Sequence, residues 1–66
     1  MYTSKDFKIG TLFEAKWPDL DPVYLCEVAS IHEDFLTVWI VGHSDPVWKP
    51  LDHTYTAPYD VVSKIY

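Results

Sequence analysis

Prolines at positions 18, 22, 46, 50 and 58 constrain this 66-residue chain more than any other feature. A proline inside a helix removes a backbone donor and clashes with the preceding turn, so punctuation this frequent excludes a long helix. Between the prolines the runs are dominated by Val, Ile, Thr, Tyr and Trp, the residues that fit a pleated, half-buried surface. The chain therefore reads as all-β, a single domain over residues 1–66, with no repeat, linker or low-complexity tract.

Side-chain alternation places the strands. "TLFEAKW", residues 11–17, follows Gly10 and puts Phe13, Ala15 and Trp17 on one face. "PDLDP" is a turn, its Asp and Pro residues supplying side-chain-to-backbone bonds and preset φ. A second strand over 23–31 turns Cys26 and Val28 inward, and Ile31 breaks that parity. A one-residue bulge near Ala29 and Ser30 restores it. "HED" at 32–34 is a polar turn. The third strand, 35–41, is apolar on both faces, with Leu36, Val38 and Ile40 on one and Phe35, Thr37, Trp39 and Val41 on the other. "GHSD" at 42–45 is expected to turn the chain into a fourth strand at Val47, Trp48 and Lys49. "PLDHTYTAP" is expected as a longer loop with strand fragments, and "YDVVSKIY" as a short helical turn leading into a last strand. Five short strands in so few residues predict a strongly bent antiparallel barrel, whose closure would remove exposed edges.

A chain of this length buries only about 60% of its unfolded surface, so its aromatics must supply much of the core. The single cysteine, Cys26, permits no internal disulfide and is expected as a small buried hydrophobe. That fits a reducing, cytoplasmic setting. Ten acids against five lysines give a net charge of −5, and there is no arginine. Such a chain lacks the electrostatic footprint of a nucleic-acid binder and suits a partner with a basic surface. No apolar stretch approaches the ~20 residues that cross a bilayer, and "MYTSKDFKIG" lacks the apolar core of a signal peptide. The opening Met1 gives the expectation of a complete small protein.

The ordered set "FKIG", "AKW", "VYLCEVASI" and "LTVWIVGHSD" resembles a Tudor domain of the survival-of-motor-neuron type over residues 7–45. The resemblance implies an SH3-like barrel that binds methylated arginine or lysine in an aromatic cage by cation–π attraction. Trp17 and Tyr24, seven residues apart, match two cage walls. The third wall, aromatic in the family, is Ile40 here; the fourth is His43, and the polar residue beyond it is Asp45. The implied site is therefore Trp17, Tyr24, His43 and Asp45, with Trp39 and Trp48 as a possible second surface. On an ideal strand Trp39 faces opposite to Ile40 and cannot replace the lost wall. It either packs under the C-terminal segment or stands as an exposed anchor.

His32, His43 and His53 match no compact zinc spacing, and no Gly-rich phosphate loop is present, so neither a metal nor a cofactor is expected. Cys26 in the core would be inert, and the acids lie mostly in turns, so no catalytic activity is expected. Asp19, Asp21, Glu33, Asp34, Asp45 and Asp52 instead suggest a negative rim. Two functions remain open, with nucleic-acid binding, which SH3-like barrels sometimes perform, a third that the charge disfavours. One is a binding module for a basic, optionally methylated, segment of a partner protein. The other is a small acidic inhibitor or accessory factor that covers a basic surface of a nucleic-acid-handling enzyme, as phage anti-host proteins do. Trp39 and Val41 could also form a homodimer surface.

Overall fold

The computed structural model describes residues 1–43 and 53–66, His43 by its backbone alone. The expected fourth strand at 47–49, together with Asp45 and Trp48, lies outside the described residues. Five strands form one antiparallel sheet: β1 (Leu12–Ala15), β2 (Tyr24–Ile31), β3 (Phe35–His43), β4 (Tyr55–Pro58) and β5 (Val62–Ile65). A 3-10 turn at Ser4–Asp6 precedes β1, and another at Tyr59–Val61 joins β4 to β5. The expected helical turn before the last strand is that second 3-10 segment.

The sheet order is β4-β3-β2-β1-β5. The first four strands form a meander, and the chain then crosses from one edge to the other. That crossing fixes the shape. Pro58 and Val62 belong to opposite edge strands but are only four residues apart. Four residues span at most roughly 14 Å, whereas the edges of a flat five-stranded sheet lie about 19 Å apart. The sheet must curl until its edges nearly meet. Among the described residues no β4–β5 ladder closes it, whereas the sequence predicts a closed barrel. The 3-10 turn lies between these strands in place of a β4–β5 ladder.

Three register shifts bend the strands. Ala29 is the extra residue between the Val28↔Val38 and Ser30↔Thr37 pairs, where the sequence places a bulge. Ile31 thereby returns to the inner side and packs against the core. Val41 is passed over between Leu25↔Gly42 and Cys26↔Ile40. Ser63 is passed over between Glu14↔Lys64 and Ala15↔Val62, and its hydroxyl donates to the Glu14 carbonyl at 3.2 Å.

Alternation does the rest. Phe13, Ala15, Cys26, Val28, Leu36, Val38, Ile40 and Ala57 form the inner face, joined by Phe7, Tyr59, Val61 and Val62. The register sets Phe13, Cys26 and Ile40 side by side across three strands. Phe7 stacks edge-on to Phe13, with ring centroids 5.5 Å apart, and lies 5.8 Å from Tyr59, closing the core from the N-terminal side.

Both glycines have mechanical reasons. Gly10, at φ +89°, is the third residue of a turn in which the Thr11 N–H donates to the Lys8 carbonyl at 3.0 Å. A positive φ at that position is what a type II turn requires. Gly42 lies inside β3, not in the expected turn at 42–45, because it faces Leu25 too closely for a side chain. A Cβ there would sit 3.0 Å from the Leu25 Cβ.

Leu36→Ala should destabilise the fold by about 2–5 kcal/mol, against under ~0.5 kcal/mol for Leu20→Ala on the surface. Gly10→Ala should cost about 1–2 kcal/mol through backbone strain alone, since nothing lies within 4 Å of its would-be Cβ. Urea unfolding of the three variants measures all of these.

Candidate functional site

The β1–β2 connection builds the site from its backbone outward. Trp17, Pro18, Asp19 and Leu20 form a turn closed by the Leu20 N–H donating to the Trp17 carbonyl at 3.2 Å. Pro18 supplies the preset φ at the second position. The Lys16 ammonium donates to the Trp17 carbonyl at 2.9 Å and also to the Leu20 carbonyl, so one lysine holds both ends of the turn. Lys16 is thereby committed to the backbone and leaves Asp19 and Asp21 exposed beside the aromatics.

Tyr24 opens β2 and pairs with Ala15. Trp17 lies two residues beyond Ala15 and therefore on the same side of the chain. The seven-residue step thus folds back on itself and brings the two rings together. Their centroids are 5.5 Å apart and their planes stand at 85°, edge to face. Such a pair contributes about 0.5–1.5 kcal/mol beyond burial. Both residues are half-buried and pack against the rim of the core. The faces of such rings attract a poorly hydrated cation.

The other expected residues divide. His43 pairs with Tyr24 through its backbone, which puts its Cα at the same end of the sheet. Asp45 and Trp48 are outside the described residues. Ile40 is 6% exposed and belongs to the core row with Cys26, so the third-wall position faces inward. Trp39 projects from the opposite face and is 40% exposed.

A second concavity, of about 350 Å³, lies at the far end of β2. Tyr2, Pro58 and Tyr59 line it together with Glu33, Asp34 and Asp60. The Tyr59 hydroxyl donates to the His32 carbonyl at 2.6 Å, which ties the second 3-10 turn to the β2–β3 turn. Burial, and then the negative charge of Asp34, push its ionisation above the usual tyrosine range. Tyr2 and Tyr59 stand 57 positions apart in the sequence, and only the acids in the turns hinted at this grouping.

The one cysteine is poorly placed to act as a nucleophile. Burial pushes the Cys26 thiol up to about 12, and the side chain is fully enclosed. His32 stacks on Phe35 at 4.4 Å, and its Nε2 lies 2.9 Å from the Ser30 hydroxyl. Among the described residues, no three His, Cys, Asp or Glu side chains converge as a metal site. No helix among them is long and apolar enough to cross a membrane.

The raised Cys26 value carries a pH dependence. Its thiol ionises near 9.0 when unperturbed and near 12 when folded, so the unfolded chain loses a proton first. The contribution is fully present below pH ~9 and is lost as pH rises toward ~12, by at most about 1.4 kcal/mol per pH unit. Denaturant unfolding should show this slope starting near pH 9, below the tyrosine range, and Cys26→Ala should remove it. Iodoacetamide should leave native Cys26 unmodified at pH 8 and label it in urea.

No protein-family model, curated protein or solved structure matches the chain.

Proposed function

We propose that the chain is a non-catalytic binding module that holds a basic segment of a partner protein at the end of the sheet bearing Trp17 and Tyr24. The carrying observation is the right-angled pair of half-buried rings at 5.5 Å, set beside the exposed Asp19 and Asp21. Aromatic faces attract a cation, and the acids add long-range steering. The net charge of −5 favours the same class of partner. An SH3-like, Tudor-like barrel is supported by the sheet order, by the bulges, and by the 3-10 turn ahead of the last strand. With Ile40 turned into the core, the cage is smaller than the family's. Methylation of the ligand then adds little, on the order of 1 kcal/mol or fivefold in affinity.

A second function, an acidic accessory factor that covers a basic enzyme surface, draws on the opposite end of the sheet. There Glu33, Asp34 and Asp60 surround an open concavity. Co-purification of a single stoichiometric nucleic-acid-handling enzyme would favour it over the first.

Titration of the labelled protein with lysine peptides, unmodified and trimethylated, tests the module. The Trp17 indole N–H and the Tyr24 ring should shift, and Trp17→Ala should weaken binding at least tenfold. Resonances that stay fixed for every basic peptide would remove the site.

A further inference from the structure

The outer face of the sheet is unusual. An antiparallel sheet with one side in water ordinarily carries polar residues on that side. Here β3 is apolar on both faces: Leu36, Val38 and Ile40 are buried inside, while Trp39 and Val41 are each 40% exposed outside. On β1 the outward Leu12 is 41% exposed. The register sets Leu12, Glu27 and Trp39 in a single row across β1, β2 and β3. An acid thus sits between two exposed apolar side chains. Glu27 is half-buried, and its carboxylate makes no hydrogen bond or ion pair among the described residues. The nearby cation on this face, Lys64, lies in the row of Glu14, and its ammonium sits 4.9 Å from the centre of the Tyr66 ring.

We propose that this face docks a partner segment that carries a lysine or arginine between apolar side chains, the cation on Glu27 and the apolar groups on Leu12 and Trp39. Charge complementarity selects that occupant. A partly desolvated, unpaired carboxylate gains most from a cation brought in with apolar neighbours. A second copy of the chain fits less well. Two-fold pairing across this row would bring Glu27 toward Glu27, between chains that each carry −5. Leu12, Trp39 and Val41 are moreover each only partly exposed, and three such side chains fall well short of the roughly 20–30 residues a side of a stable interface. The contact is therefore small and reversible, anchored by one tryptophan. It uses none of the residues of the Trp17–Tyr24 pair, so either surface can fail without the other.

The test is an NMR titration of the intact protein with a blocked hexapeptide alternating leucine and lysine. The control is the same peptide with glutamine in place of lysine. The Trp39 indole N–H and the Glu27 amide should shift, with the lysine peptide binding at least fivefold tighter. Glu27→Gln should bring the two peptides to equal affinity, and Trp39→Ala should weaken both about tenfold. Should Trp39→Ala lose its dispersed spectrum, the Glu27→Gln comparison decides the matter alone. Equal binding of both peptides by the unaltered protein would overturn the proposal. So would shifts confined to Trp17 and Tyr24, which would place the peptide at the other site. A concentration-dependent rise in sedimenting mass without peptide, with Trp39 shifting, would also overturn it and make the second copy the occupant.

Discussion

Everything in this fold depends on the shortness of one connection. Three residues, Tyr59–Val61, carry the chain from one edge strand of the sheet to the other. A sheet obliged to bring its edges that close must wrap around its own side chains. The wrapping encloses Phe13, Leu36, Val28, Val38 and Cys26 without any disulfide to assist. The connection also contributes to the core it creates, because Tyr59 and Val61 are themselves buried. The Val61 carbonyl accepts the Lys16 N–H at 2.9 Å, which fastens the connection to the start of the β1–β2 turn. The same residues therefore join the curl of the sheet to the segment that presents Trp17.

Much of this was legible in the sequence where local pattern and tertiary demand coincide. Alternation marked the inward residues of β1, β2 and β3 because each strand has one face against the core. The Ala29 bulge was legible because Ile31 broke parity, and an apolar residue on the wrong face has a cost. The skips at Val41 and Ser63 left no such trace, since either side of the sheet accepts those residues. Gly42 carried a signal that points two ways: a glycine marks a turn or a close approach, and only the position of Leu25 decides. "PLDHTYTAP" reads as a longer loop with strand fragments, and pairing with Phe35–Val38 makes Tyr55–Pro58 a full strand. Closure of the sheet was not legible, because a pattern of alternation does not say whether two edges join.

The site divides along the same line. Trp17 and Tyr24 were readable as a pair because a turn joins them, and a hairpin of known length fixes which side chains meet. Tyr2, Tyr59, Asp34 and Asp60 meet only through the crossing from β4 to β5, which sequence separation conceals. Ile40 shows the converse. Its chemistry already weakened the aromatic cage, and the fold commits that position to the core row of Phe13 and Cys26.

Among the described residues β4 and β5 each pair on one side only, and unpaired strand edges are templates for aggregation. The composition of these edges bears on that hazard. Each edge strand is only four residues long. The residue that ends β4 is Pro58, which has no N–H to offer an incoming strand. On β5 the exposed Lys64 would place a charge against any neighbouring copy. The proline that helps launch the crossing thus also discourages the molecule from extending its sheet into a second one.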